Sequence, residues 1–343
     1  MGQITKTFLL LSMLLICLNV TGQNRNNDIL SDTTKFAEDM KNTNSNEIPK
    51  WASFFEYKEY STFMCEIDNY FRSLNIEYEL GDGQIDVQPN DFGFNTLGLI
   101  NVAQICKQEE KEFYKEVITE HFNSMIKANN FEKEFEKIAD NFEEVKKYIG
   151  VRLYDNGYVE YVGKENTIGK DFAGNIYSMI VFDFPYSVSS IKPEQTIAWN
   201  KTIDELFEIG ISNIKSKYPP IVTKEDIGDC KIWFIQGDHF FIPNIVFDIE
   251  NRKELIGSKG SLIGLPDRHS AIIYPIEDLE VLNAINRLIP IIYGMSQKGP
   301  GSLSDNLFWY KDNTFTQLPY KLDENKLNFF PPDSFVEFLN ELK

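Results

Sequence analysis

Apolar residues in the C-terminal half of the chain form short continuous runs bounded by turn-forming residues. The clearest runs are "NIYSMIVFDFPYS" (175–187), "KIWFIQ" (231–236) and "HSAIIYPI" (269–276). Runs of this length flanked by Gly, Asn or Asp are typical of strands with both faces buried. The pattern therefore predicts a sheet whose central strands come from this half. "GLPDRH" (264–269) fits a turn that leads into the last of these strands.

Alternating segments around short polar turns predict hairpins. The three segments are "IEYELGDGQIDVQP" (76–89), "VRLYDNGYVEYV" (151–162) and "NLFWYKDNTFTQL" (306–318). In the first, Gly81 and Gly83 supply the backbone freedom that a tight turn needs. "IPNIVFDI" (242–249) fits either a strand or a short helix.

Helical periodicity predicts several helices. We expect helices over 51–75 and Thr96–Ala128, and a closing helix over 333–342. Spacings of three and four residues place one apolar stripe on a further helix; its members are Phe131, Phe135, Ile138, Phe142, Val145 and Ile149.

Two more helices have capping signals. The capping box Thr202–Glu205 opens a helix that ends near Lys217. Asp278 can cap another helix, and Pro290 kinks or ends it.

Together these elements predict an α+β fold, with a mixed, largely antiparallel sheet, packed helices and a helical N-terminal half. The predicted organisation follows the chain. Residues 1–22 are a signal peptide, 23–50 a flexible spacer, 51–150 a mainly helical region with one hairpin, and 151–343 an α+β domain.

The N-terminus predicts export. Lys6 precedes an apolar run over Phe8–Leu18 that is too short to span a bilayer. The pattern indicates a secretory signal peptide with Gln23 as the mature N-terminus, and hence a secreted, periplasmic or cell-envelope protein. The alternative is a lipoprotein attached through Cys17, which is the one route to a membrane. The large Ile16 disfavours it.

The remaining cysteines limit the scaffold. No C-x-x-C spacing occurs among Cys65, Cys106 and Cys230. This excludes a zinc ribbon and a dense disulfide framework. Two alternatives remain, a single Cys65–Cys106 bridge or three free thiols.

The charge balance changes the range of partners. With 52 acidic and 34 basic residues the chain carries a formal net charge of −18, which disfavours nucleic acid and anionic lipid. A basic protein surface is an easier partner. We therefore expect a binding or interaction protein that neutralises or docks a basic protein. No cofactor and no oligomeric state are indicated.

Histidines carry the competing hypothesis of a hydrolase. Asp238 and His239 follow one predicted strand, and Asp267, Arg268 and His269 precede another. If both loops share a sheet edge, these side chains could form an acid/base cluster or a two-histidine metal site. The alternative is that they are ordinary turn residues.

Other segments carry weaker signals. His121 lies on a predicted helix, and we expect it at the surface. Phe308, Trp309 and Tyr310 could line a ligand groove, although alternation along a strand places at least one of them in the core. The Gly-rich segments 257–264 and 298–306 lack nucleotide-binding fingerprints and fit turns.

The order of blocks resembles the YtpQ-like bacterial family, a domain of unknown function. The likeness rests on "IEYELGDGQIDVQP", "VFDFPYSVSSIKPEQTIAWNKTIDELFEIGISNI", "GDCKIWFIQGDHFFIPNIVFDI", "LPDRHSAIIYPIED" and "GSLSDNLFWYKDNTFTQLP". It covers nearly the whole mature chain and implies a fold but no reaction. The signal peptide and the position of His269 depart from the family pattern.

Overall fold

The computed structural model describes residues 48–88, 90–298, 301–323 and 326–342. The predicted signal peptide, Cys17 and most of the predicted spacer lie outside these residues. The predicted α+β class is confirmed. No helix in the described ranges is both long and apolar enough to cross a membrane. The chain divides into two compact units, which in the described part comprise 48–88 with 95–120, and 90–94 with 121–342.

The first unit packs helices around a small sheet. Its helices are α1 (Tyr57–Ser73), α2 (Ile100–Gln108) and the first turns of α3 (Tyr114–Phe135). Its antiparallel strands are, in order, β1 (Tyr78–Leu80), β2 (Gln84–Val87) and β3 (Thr96–Gly98). The predicted hairpin is confirmed. The single helix predicted over Thr96–Ala128 is wrong, since β3 and a break after Gln108 interrupt it.

The three cysteines in the described part carry free thiols. Burial raises the pKa of Cys106 to about 12, so this thiol is unreactive near neutral pH. Burial also raises the pKa values of Cys65 and Cys230. The bridge between Cys65 and Cys106 is therefore absent from this structure.

The second unit contains two larger antiparallel sheets. The six-stranded sheet runs in the order β13 (Thr314–Leu318), β12 (Leu307–Lys311), β10 (Ser261–Asp267), β11 (Ser270–Pro275), β9 (Cys230–Gln236) and β8 (Ile221–Ile227). The four-stranded sheet places β6 (Ile176–Asp183) between β4 (Ile149–Asp155) and both β5 (Gly169–Ala173) and β7 (Val188–Ser190). A two-stranded ribbon of β14 (Tyr320–Asp323) and β15 (Lys326–Phe329) completes the strands in the described part.

Helices cover these sheets. They are α4 (Phe142–Val145), α5 (Asn156–Val162), α6 (Pro193–Trp199), α7 (Ile203–Lys217), α8 (Val281–Lys298) and α9 (Asp333–Glu341). The predicted box at α7 is confirmed: Thr202 Oγ1 accepts the Glu205 N–H, and the Glu205 carboxylate accepts the Thr202 N–H. Pro290 lies inside α8 and does not end it.

The central strands of the six-stranded sheet, β10, β11 and β12, are buried on both faces, which explains their continuous apolar runs. Leu262 and Ile272 face the layer that contains α8 and α9. The next residues along each strand, Ile263 and Ile273, face the core shared with the four-stranded sheet. The same alternation buries all three members of the Phe308–Tyr310 run. The ligand groove considered for these aromatics is therefore wrong.

Two predicted elements are replaced by others. The hairpin predicted over 151–162 is instead β4 followed by α5, because Asp155 Oδ1 accepts the Gly157 N–H and caps a helix. The single helix predicted from Phe131 to Ile149 ends at Phe135. A turn, the short α4 and a 3₁₀ turn follow before β4 begins. The apolar stripe nevertheless packs into one core, since all six of its side chains contact the same cluster.

Candidate functional site

Two loops from neighbouring strands meet at one end of the six-stranded sheet. β9 ends at Gln236, which pairs with Ser270 of β11. The Gly237 N–H donates to the His269 carbonyl at 3.3 Å. The structure therefore brings the loop that carries His239 beside the turn that carries His269.

Asp267 and Asp238 do not orient either imidazole. Asp267 Oδ1 accepts the His269 backbone N–H at 2.7 Å, and its Oδ2 accepts the Ser270 hydroxyl at 2.8 Å. Both oxygens of Asp267 thus stabilise its own turn, a common use of Asp at such positions. Asp238 lies in the neighbouring loop, at the edge of the sheet.

His239 is half-buried in an aromatic environment. Its ring stacks on Tyr218 with the centroids 4.5 Å apart, and its Nδ1 accepts the Phe241 N–H at 3.2 Å. The neutral ring therefore carries its proton on Nε2, and that atom is buried with no hydrogen-bond partner in the described part of the chain. Burial, together with nearby His269, lowers the pKa of His239 to about 4.

His269 accepts a hydrogen bond from its neighbour in the chain. Arg268 Nε donates to His269 Nε2 at 3.3 Å. Burial and the charge of Arg268 lower the pKa of His269. Burial and the charge of Arg152 lower the pKa of Arg268 to about 10. At neutral pH the two imidazoles are therefore uncharged, while the two guanidiniums carry the positive charge.

Phe240 is the residue that both guanidiniums contact. The Cζ atom of Arg268 lies 4.5 Å from the centroid of the Phe240 ring, and that of Arg152 lies 5.4 Å from it. Arg152 also lies over the Tyr154 ring at 4.7 Å, and its Nε is buried with no hydrogen-bond partner among the described residues. We call the group Arg152, His239, Phe240, Arg268 and His269 the arginine–histidine cluster.

These two arginines differ from the others in the described part of the chain. Three arginines form ion pairs: Arg72 with Asp68, Arg252 with Asp248, and Arg287 with Asp229. Arg152 and Arg268 have no carboxylate within ion-pair distance among the described residues. Asp267 lies near enough for its charge to favour the charged form of Arg268, but it forms no ion pair with it. In so acidic a chain, two arginines without an ion-paired carboxylate among the described residues are unusual.

A glycine supports the position of Arg268. The Arg268 N–H donates to the Gly301 carbonyl at 3.0 Å. Gly301 has a φ of +80°, and a Cβ there would lie 2.3 Å from Arg268 Nε. Gly301 can therefore lie this close to the guanidinium only because it has no side chain.

Chemically, the cluster supplies hydrogen-bond donors. Both guanidiniums and the Nε2–H of His239 can donate, whereas the carboxylate of Asp267 is bound within its turn. Among the described residues, no group of three His, Cys, Asp or Glu side chains is placed to hold a metal ion. The arrangement suits an oxyanion better than it suits general acid/base chemistry.

Sequence reasoning missed Arg152 and Phe240. Arg152 lies between the buried residues Val151 and Leu153 on β4, and a single charge in an apolar strand is a usable signal. Phe240 gave no signal of its own. His121, expected at the surface, is half-buried, and its Nε2 has no hydrogen-bond partner within the described ranges.

Comparisons with protein-family models, with curated proteins and with solved structures found no match. Membership of the YtpQ-like family therefore stays a prediction from the sequence.

Proposed function

We propose that this chain is a binding protein that recognises an oxyanion, such as a carboxylate, sulfate or phosphate group, at the arginine–histidine cluster. The observation that carries the proposal is the absence of a carboxylate partner for Arg152 and Arg268 in the described part of a chain that carries a net charge of −18. Partly desolvated charges without a counter-charge cost free energy. A bound anion would remove that cost.

The surroundings of the guanidiniums suit planar recognition. Phe240 lies against both of them, and Tyr154 lies against Arg152. Stacking on ring faces leaves the N–H groups at the guanidinium edge free to donate in its plane, which matches the geometry of an oxyanion. Nε of Arg152 and Nε2 of His239 are buried without a hydrogen-bond partner among the described residues, so an anion that reached them would gain two further donors.

The hydrolase alternative has less support. A general base needs a free ring nitrogen beside the reacting group and a partner that orients the ring. His239 uses Nδ1 to accept the Phe241 N–H, and His269 uses Nε2 to accept from Arg268. Asp267, which would have oriented an imidazole, is bound within its turn.

A basic protein remains a second proposed partner, favoured by the surplus of acidic residues. Export, and a membrane association through Cys17, remain proposals from the sequence. A basic partner would bind through surface carboxylates, so its affinity would fall steeply with ionic strength and persist when Arg268 is removed. Titration with a basic protein at two salt concentrations would separate the two proposals.

The first test is isothermal titration of the full chain with sodium sulfate and sodium acetate at constant ionic strength. The variants are Arg152→Met and Arg268→Met, and the matched control is Arg287→Met, which removes an arginine that already has a carboxylate partner. Losing a charge-assisted hydrogen bond is worth about 1.5–3 kcal/mol. We expect about 10- to 100-fold weaker binding for either cluster variant and unchanged binding for the control.

Circular dichroism would establish that each variant is folded. The proposal is wrong if the native chain binds neither anion, or if Arg287→Met weakens binding as much as Arg268→Met does. Equal loss in all three variants would indicate a general effect of net charge rather than a site.

A further inference from the structure

The hydrogen bond between Arg268 and His269 links the charge of the cluster to a titratable nitrogen. His269 Nε2 can accept from Arg268 only while that nitrogen carries no proton. The half-buried ring lies edge-on to Phe240, with the centroids 5.3 Å apart. The same nitrogen therefore lies beside the guanidinium that we propose as an anion ligand.

Several charged groups act on His269. Arg268 and Arg152 disfavour its protonated form, whereas Asp267 favours it. Burial has the largest effect and also disfavours the protonated form, whereas a hydrogen bond with the Gly237 backbone favours it; the net result is a lowered pKa. From the neighbouring loop, the Gly237 N–H is hydrogen-bonded to the His269 carbonyl. An oxyanion between the guanidiniums would offset the two opposing positive charges and leave the effect of Asp267 in place.

The second imidazole responds differently. The groups that act on His239 are the carboxylates of Asp238 and Asp183, which favour its protonation, and His269, which opposes it. Its Nδ1 is occupied by a backbone N–H, and its ring is stacked on Tyr218. A proton on His269 would further disfavour a proton on His239, so His239 remains a neutral donor through Nε2–H.

We infer that binding of an anion at the arginine–histidine cluster is coupled to uptake of one proton by Nε2 of His269, so that the chain captures its ligand more tightly as the pH falls. This inference rests on the proposed function. On protonation, Nε2 changes from an acceptor for Arg268 into a donor toward the anion. Arg268 Nε is released at the same time and can also donate to the anion. The site thus gains one charge and two donors.

Thermodynamic linkage determines the direction in which pH changes the affinity for the anion. A ligand that binds the protonated form better raises the pKa of that group, and protonation must then raise the affinity for the ligand by the same factor. Each proton taken up can change the affinity by up to about tenfold per pH unit. Because the pKa of His269 starts below its ordinary value, the increase is expected at mildly acidic pH.

The test uses sulfate, which does not itself titrate in the range from about pH 5 to pH 8 over which histidine changes charge. Isothermal titration of the full chain at about pH 6, in two cationic buffers of different ionisation enthalpy, gives the number of protons taken up per sulfate bound. We expect uptake of between about one third of a proton and one proton, and affinity about three- to tenfold higher at about pH 5.5 than at about pH 7.5. Sulfonate buffers are avoided because they could compete for the site.

Three variants locate the proton. His269→Gln should abolish proton uptake and flatten the pH dependence while sulfate still binds. His239→Gln should weaken sulfate binding and retain the uptake. His121→Gln, which alters a histidine outside the cluster, should match the native chain in both measurements.

The outcomes separate this inference from the proposed function. Sulfate binding that depends on Arg268 but shows no proton uptake and no pH dependence would overturn the inference and leave the proposed function standing. Full proton uptake in His269→Gln would also overturn the inference alone. If the native chain binds no sulfate at any pH from about 5 to 8, where histidine titrates, both fail.

Discussion

Two polar regions meet at Tyr218 and differ in whether their charged side chains form ion pairs. In the first, the buried carboxylate of Asp183 accepts from Lys217 Nζ at 2.5 Å and from the Tyr218 hydroxyl at 3.0 and 3.1 Å. In the second, the arginine–histidine cluster, the guanidiniums of Arg152 and Arg268 both lie at the Phe240 ring and have no ion-paired carboxylate among the described residues. The stacked rings of Tyr218 and His239 join the two.

The difference is the basis for the proposed function of the second region. Burial by itself lowers the pKa of Lys217, but its hydrogen bonds to Asp183 and Tyr218 raise the pKa overall, so the charged pair is favoured in the folded state. In the cluster, burial and mutual repulsion lower the pKa of Arg268. The first group pairs its charges with each other, whereas among the described residues Arg152 and Arg268 form no ion pair.

Lys217→Met tests whether the ion pair in the first region stabilises the fold, and it should have the largest effect on the free energy of unfolding. It leaves the carboxylate of Asp183, with only 7% of its side chain exposed, without a cationic partner. Such a loss costs about 2–4 kcal/mol in the free energy of unfolding, measured by urea denaturation. Arg287→Met is the matched control, because Asp229 is 92% exposed, and it should cost less than about 1 kcal/mol. Similar losses in both would remove the distinction.

Acid should weaken the second region without any mutation. The pKa of His239 lies at about 4 in the folded chain, below the ordinary value of 6.5. The unfolded chain therefore binds this proton first, and the free energy of unfolding falls as the pH decreases from 6.5 to about 4. After allowance for solvent screening at a half-buried ring, we expect about 1–2 kcal/mol.

The measurement is the difference in stability between the native chain and His239→Gln across that range. The difference cancels the titration of carboxylates elsewhere in the chain. A difference that does not vary with pH would contradict the assignment of a buried neutral imidazole.

Arg268→Met should have the smallest effect on stability, although it removes a half-buried charge. Methionine keeps the apolar contact with Phe240, and its introduction leaves no carboxylate without an ion-pair partner. The free energy of unfolding should therefore change by less than about 1 kcal/mol, with either sign. Chemical denaturation without added anions checks this. A loss above about 2 kcal/mol, the size expected for a broken buried pair, would make Arg268 a structural residue like Lys217 and would erase the contrast.

Elements whose formation depends on nearby residues could be predicted from the sequence. The hairpin at 306–318, the buried strand at 175–187 and the box at Thr202 lie where the sequence pattern predicts them. Each depends on periodicity or on contacts within a few residues. The prediction that "GLPDRH" forms a turn is wrong for most of its length, because Gly264–Asp267 continues β10 and only Arg268 and His269 turn the chain. Pro266 lies where the register with β11 shifts, a position that tolerates a residue without an N–H.

Non-local contacts limited the prediction of the site. Arg152 lies on a different sheet from His269, and no local pattern indicates that β4 meets the end of β9 and β11. The sequence predicts a catalytic role for the carboxylates of Asp238 and Asp267 because acidic residues beside histidine suggest catalysis. Turn formation explains Asp267 instead, through its bonds to His269 and Ser270. Arg152 and Arg268 come together only through the packing of the two sheets, which no local sequence pattern indicates.

The two-residue turn between β10 and β11 has a consequence for affinity. Asp267 fixes the turn through two hydrogen bonds, and Gly301 backs Arg268 through a third. The guanidinium itself is held by the hydrogen bond from its Nε to His269 and by the Phe240 ring, and both contacts restrict the rotamers of Arg268. The cluster is preorganised, so less of the interaction energy is spent on conformational entropy. A small anion could therefore be held here by few contacts.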